Sequence, residues 1–172
     1  MCDSFIPNMV YLAPTSKEEY FAMLNWSIEQ NEHPVAIRIP CNGVISDRRT
    51  IDTNYSNLNK FKVEIKGENV IEELKNKIGL NATLINPQYI TGIDLELLKK
   101  LKENHSIVIT LEDGCIDGGF GEKIASFYGT DNIKVKNYGI KKDFYDKYDV
   151  NELLKANRLT KEQIVEDIKN MI

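Results

Sequence analysis

Residues 107–124, IVITLEDGCIDGGFGEKI, leave this chain few ways to fold. Ile107–Leu111 reads as a short strand of the buried type. Two acids follow at once, Glu112 and Asp113, and then a loop holding Gly118, Gly119 and Gly121. A helix is expected to start near Glu122. A strand that ends in acids and turns through glycines into a helix is the usual place for a site in an open α/β sheet.

The remaining patterning agrees with that class. Met9–Leu12 reads as a strand closed by Ala13-Pro14. Thr15 or Ser16 can cap a helix with Glu18 and Glu19 in its first turn, where acids suit the helix dipole. Tyr20, Met23, Leu24 and Ile28 are spaced as its buried face, with Trp26 on the flank. The helix should end near Asn31, and Val35–Ile39 is a second strand stopped by Pro40. Two strands joined by a helix make a parallel βαβ unit. Residues 44–60 are polar, aperiodic and read as a linker. Beyond it, Phe61–Ile65 alternates as a half-exposed strand, and Lys66–Asn69 is a turn. A short helix ends at Gly79, Ala82–Ile85 is a strand, and Asp94 caps a helix carrying Leu95, Leu98 and Leu101. Ile133–Tyr138 is a further strand, and two helices close the chain, with Thr160 capping the last. Strands alternating with helices predict a three-layer α/β fold: a mostly parallel sheet with helices on both faces, preceded by a small βαβ remnant. One irregularity stands out. Val70-Ile71 joins a turn directly to a helix, where a doubly wound sheet would place another buried strand.

Bulk composition narrows the function. At 172 residues, 42% hydrophobic and 28% charged, the chain can bury a core. A net charge of −4 gives no basic footprint, so nucleic acid is not an expected partner. No apolar run approaches the ~20 residues that span a bilayer, so no membrane partner is expected either. MCDSFIPN lacks the pattern of a secretory signal. Cys2, Cys41 and Cys115 are three and far apart, which argues against a zinc site or a disulfide framework. The expectation is a cytoplasmic protein with reduced thiols.

Each candidate site has two readings. Gly118, Gly119 and Gly121 can cradle an anion at the start of the next helix, or simply let the chain turn and pack close to the sheet. The spacing matches neither GxGxxG nor a P-loop. Glu112 and Asp113 can act as acid and base, cap loop amides, or meet a second subunit. Arg38, in an apolar strand, needs a partner: a substrate phosphate or carboxylate, or an internal acid. His33 and His105 read as residues at helix C-termini, and Cys115 has no basic neighbour closer than Lys123. Arg48-Arg49 reads as a solvated pair.

Taken in order, the segments resemble a known family. Pro7–Pro14, Glu18-Glu19, Met23-Leu24 and Pro34–Pro40 resemble the end of the pyrimidine-binding domain of transketolase-like enzymes. Asn86-Pro87, Ile93-Asp94, Leu97-Leu98, Thr110–Gly114, Gly118–Gly121, Tyr138–Ile140, Leu153-Leu154 and Leu159-Thr160 with Ile164 resemble the transketolase C-terminal domain. Order and spacing are most similar to the deoxyxylulose-phosphate synthase branch. The resemblance divides the chain into a pyrimidine-domain portion (1–43), the linker (44–60) and the C-terminal domain (61–172).

Such a family implies a transferase using thiamine diphosphate and magnesium. It would join pyruvate to glyceraldehyde phosphate for isoprenoid precursor synthesis, as a homodimer or with a complementary chain. It also implies Arg38 as a substrate ligand, with Glu112, Asp113, Gly118, Gly119 and Gly121 shaping a loop or an interface. No catalytic residue and no metal ligand is expected here, because the Gly-Asp-Gly…Asn metal motif and the glutamate that activates the cofactor have no counterpart. The chain alone is expected to be inactive and to hold no cofactor. It departs from the family pattern at Pro40, where Cys41-Asn42-Gly43 replaces the usual Arg-Gly, and at Val70-Ile71, where the family carries a strand. The other reading is a non-catalytic module for dimerisation or for binding a small anion.

Overall fold

Local chemistry at position 16 starts the first unit. Ser16 is the N-cap of α1 (Lys17–Glu29), and its hydroxyl accepts from the Glu19 amide at 3.2 Å. This helix connects β1 (Val10–Leu12) to β2 (Val35–Ile37), and the two strands pair in parallel with Val10 opposite Val35. The computed structural model describes residues 6–40, 43–47, 51, 54–64, 70–146 and 148–172. The expectations placed on Cys2, Cys41-Asn42, Arg48-Arg49, Ile65 and Lys66–Asn69 lie outside them. The remaining elements are β3 (Lys62–Glu64), α2 (Val70–Ile78), β4 (Leu84–Asn86), α3 (Leu95–Asn104), β5 (Ile107–Cys115), α4 (Phe120–Tyr128), β6 (Lys134–Ile140), α5 (Val150–Ala156) and α6 (Lys161–Met171). This is the parallel α/β class expected. Strands bond two by two, β1 with β2, β3 with β4 and β5 with β6. No helix among the described residues is long and apolar enough to cross a membrane.

The chain forms two compact units: residues 1–62 with 87–104, and residues 63–86 with 105–172. In the first, Val10, Leu12, Met23, Tyr55 and Tyr89 make the core, with Ala22, Trp26, Val35, Ile37 and Leu58 packed on it. The segment read as a linker therefore supplies a core residue. Tyr55 is 2% exposed, and its carbonyl accepts from the Tyr89 hydroxyl at 2.7 Å. Upstream, the Lys17 amide donates to the Ile45 carbonyl, and the Ser46 hydroxyl donates to Glu18. Pairing also continues on the far side of β1, where the Ala13 amide donates to the Gln88 carbonyl and the Ile90 amide to the Tyr11 carbonyl.

Helix α1 turns only part of the expected face inward, with Tyr20 and Leu24 half-buried. Glu19 and Met23 are its buried residues, whereas Ile28 is 71% exposed. The reason is Glu19. Its carboxylate accepts from the Thr15 amide (2.8 Å), the Thr15 hydroxyl (2.9 Å) and the Gln88 carboxamide (2.6 Å). Those three bonds satisfy a buried charge and fix the rotation of the helix.

In the second unit β5 and β6 are parallel, Ile107 opposite Lys134. A core of Leu74, Tyr138, Ile164, Val165 and Ile168 gathers α2, β6 and α6. Gly79 ends α2 as expected, donating its amide to the Lys75 carbonyl with φ +66°. A side-chain cluster ties α6 to β6. The Arg158 guanidinium grips Asp167 at 2.6 Å and Glu166 at 3.0 Å, and Asp167 accepts from the Tyr138 hydroxyl at 3.1 Å.

Two outcomes are expected from these contacts. Glu19→Ala removes the acceptor of three donors and should cost about 1–3 kcal/mol in a urea melt, with Glu19→Gln costing less. The second concerns acid. Burial alone would raise the Asp94 carboxyl, but the Leu97 and Phe61 amides and the Lys60 ammonium outweigh it and hold it low. Arg158 does the same to Asp167. Both carboxyls are depressed on folding. Their contribution is complete above about pH 4, and is lost as pH falls through the lower folded values. Asp94→Asn should flatten that acid limb in a pH series of thermal melts.

Candidate functional site

The Gly-rich loop takes its shape from the strand before it. β5 runs to Cys115, four residues past the expected end at Leu111, with a register irregularity between Leu111 and Cys115. Pairing with β6 resumes at Cys115 opposite Ile140, so the acids lie within the strand and not beyond it. A bulge of this kind re-aims a side chain. Here it is Glu112 that turns to the start of α4.

Glu112 sits on the first amides of that helix. Its Oε2 accepts from the Phe120 amide at 3.0 Å and its Oε1 from the Gly121 amide at 3.2 Å. Gly119, the N-cap, has no side chain to do this. A carboxylate here satisfies orphan donors and meets the positive end of the helix dipole. It also explains why α4 begins at Phe120 rather than near Glu122: with these amides capped, the first turn closes earlier. Glu122 reaches back, accepting from the Gly118 amide at 3.0 Å.

Close approach requires two of the glycines. A Cβ on Gly119 would run into the Glu112 carboxylate and the Cys115 carbonyl. A Cβ on Gly121 would strike the Thr110 hydroxyl and the Asn137 carboxamide, which are themselves bonded at 2.8 Å. The loop therefore seats α4 tightly against the β5–β6 pair. Its amides are engaged from within, and an external anion would have to displace Glu112 or Glu122.

The other candidates are placed as follows. Asp113 and Cys115 are exposed on β5. Arg38 follows β2, is half-buried, and donates its amide to the Leu12 carbonyl at 2.8 Å. It belongs to the first unit and the glycine loop to the second. His33 lies beyond the end of α1, with Nδ1 3.2 Å from the Asn8 carbonyl. His105 follows α3, with Nε2 3.1 Å from the Thr83 hydroxyl. Among the described residues, no group of three or more His, Cys, Asp or Glu side chains could hold a metal ion.

Sequence reasoning missed two polar nodes. Glu19 with Gln88 joins residues 69 apart in sequence. Its local signal was the Ser16-x-x-Glu19 spacing of a capping box. The Arg158–Asp167–Tyr138 cluster had no local signal, because Tyr138 comes from a strand remote from the helices.

Glu112→Ala should lower stability by about 0.5–2 kcal/mol, the usual cost of an N-cap. Gly119→Ala should be costly in the native chain and less so beside Glu112→Ala, because part of the clash is with that carboxylate. A double-mutant cycle in urea reads this coupling directly.

With the geometry established, the likeness to known proteins has a place. The chain is 33% identical over 188 aligned residues to 1-deoxy-D-xylulose-5-phosphate synthase of Clostridium tetani, covering 98% of this chain and 29% of that protein. The synthase of Lachnoclostridium phytofermentans is 30% identical over 191 residues, covering 96% and 29%. The chain thus spans under a third of the length of these relatives. In both cases the aligned stretch is longer than the 172 residues of the chain, so the relatives carry residues without a counterpart here. A solved structure described as "Split gene transketolase, inactive beta4 tetramer" shares the fold, with a TM-score of 0.74 at 21% identity over 96% of this chain and 58% of that one. The model of the transketolase C-terminal domain matches residues 67–164. That match takes in the Glu112-capped loop, α4 and the β5–β6 pair, and the chain belongs to the transketolase C-terminal domain family.

Proposed function

We propose that this chain is the C-terminal portion of a transferase that makes deoxyxylulose phosphate from pyruvate and glyceraldehyde phosphate. The product would feed isoprenoid precursor synthesis. The observation that carries the reading is the likeness, along 96–98% of the chain, to two relatives that bear the same synthase name. The structure adds a negative constraint. The one loop that resembled an anion site is capped by Glu112 and Glu122.

The chemistry of such a transferase would be supplied by thiamine diphosphate with magnesium. The described residues offer no cluster suited to that ion. We assign the cofactor to the part of the enzyme that this chain does not span, and no reaction step to residues of this chain. Its contribution is an accessory portion and, in Arg38, a cation for a substrate phosphate or carboxylate. A guanidinium suits such an anion because it can bind in a bidentate, charge-assisted manner. The working assembly would be a homodimer or a pairing with a complementary chain, in the cytoplasm.

The test is reconstitution. The chain is mixed with a polypeptide carrying the remainder of the Clostridium tetani relative, with thiamine diphosphate and magnesium. Deoxyxylulose phosphate should form with both polypeptides present and with neither alone. Turnover by the isolated chain, or none by the mixture, would overturn the proposal. In the active mixture Arg38→Ala should raise KM for the aldehyde phosphate by roughly tenfold or more, consistent with loss of a charge-assisted pair. An unchanged KM would assign Arg38 to an internal partner instead.

A further inference from the structure

Gln88 holds a backbone conformation that residues with a side chain rarely adopt. Its φ is +57°, in the left-handed region, although it is buried and is not glycine. The Tyr89 amide closes a three-residue turn across it, donating to the Pro87 carbonyl at 2.5 Å, and turns of that hand are rare and strained. Such an outlier persists only where its surroundings over-determine it, and outliers of this kind cluster at functional sites. Two sets of bonds hold Gln88. Its carboxamide donates to Glu19 Oε1 at 2.6 Å, while Glu19 Oε2 accepts from the Thr15 amide and hydroxyl. Its carbonyl accepts from the Ala13 amide at 2.9 Å, and two residues on, the Ile90 amide donates to the Tyr11 carbonyl at 3.0 Å. On its other side the same strand end meets the exit of β2, where the Arg38 amide donates to the Leu12 carbonyl at 2.8 Å. Tyr11, Leu12 and Ala13 are thus clamped between Gln88–Ile90 and Arg38. All of these residues belong to the first unit.

We infer that Gln88 is a positioning residue for Arg38, acting through the end of β1. The inference rests on the reading of Arg38 as the cation for a substrate phosphate or carboxylate. β2 ends at Ile37, so Arg38 is where the chain leaves the strand pair, and Pro40 has no amide with which to extend it. The place of the Arg38 backbone therefore follows that of the Leu12 carbonyl. Leu12 is fully buried, and its neighbour Ala13 is anchored through Gln88 to α1. A guanidinium that meets an anion in a bidentate manner tolerates little displacement, and a misplacement of about 1 Å can cost on the order of 100-fold in rate. The residue type agrees with this role. Asn accepts a left-handed backbone more readily than Gln. Gln has the longer reach, and one methylene less would leave Glu19 Oε1 without this donor.

The variants act on that reach. Gln88→Asn keeps the carboxamide and eases the backbone but falls short of Glu19, and Gln88→Met keeps the length but removes the donor. Amide hydrogen exchange of the full chain, followed by NMR, is read at Arg38 and at Val10, whose amide donates to the Pro34 carbonyl at the far end of β1. Either variant should speed exchange at Arg38 by about tenfold or more relative to Val10, because the loosening is local. The exchanged pair, Glu19→Gln with Gln88→Glu, lets a carboxamide on α1 donate to a carboxylate in the turn and should restore the ratio. In the reconstituted mixture each Gln88 variant should raise KM for the aldehyde phosphate roughly fivefold or more and leave kcat within about twofold, and the exchanged pair should restore KM. Equal acceleration at both amides, or none at either, assigns Gln88 to general stability and overturns the inference. An altered ratio with unchanged KM in an active mixture also overturns it. A mixture that makes no product removes the synthase reading instead, and the amide ratio then decides alone whether Gln88 positions Arg38.

Discussion

Carboxylates placed at helix starts hold this structure together. Glu112 leaves the middle of β5 to cap α4. Asp94 caps α3 through the Leu97 amide and also accepts from the Phe61 amide at 3.2 Å. Glu19, in the first turn of α1, reaches Gln88. Glu19 and Asp94 each also accept from a second place in the chain, and Glu112 reaches its helix from a strand. A helix that supplies orphan amides and a favourable dipole stabilises a partly buried acid. The same acid then fixes how the helix is rotated and where it begins.

That arrangement changes the meaning of the glycine loop. A strand ending in acids beside glycines looks from sequence like a ligand site. In the folded chain the acid is itself the ligand of the loop. Gly119 leaves room for the Glu112 carboxylate, and Gly121 lets α4 approach Thr110 and Asn137. The loop's geometry answers a packing need, and it lies within the stretch that defines the family.

What could be read from sequence follows from the range of the interactions. Elements set by local chemistry were legible: a cap at Thr15 or Ser16, which is Ser16, the Thr160 cap, the stop at Gly79, and the parallel βαβ unit. Features set by contacts distant in sequence were not. β5 outruns Leu111 because β6 continues to pair with it beyond the bulge. Residues 44–60 look like a tether by composition, yet Tyr55 is packed against Trp26 and Tyr89. α1 buries Glu19 beside Met23 and leaves Ile28 outside, with Gln88 bonded to the Glu19 carboxylate. Of the face expected to be buried, Tyr20, Met23, Leu24 and Ile28, Met23 is fully buried, Tyr20 and Leu24 are half-buried and Ile28 is exposed.

The proposed function makes one claim that rests on the short span relative to the synthases: the cofactor is held outside this chain. Isothermal titration of the isolated chain with thiamine diphosphate and magnesium tests that claim most directly. The expected result is no saturable heat. Tight, saturable binding to this chain alone would contradict it.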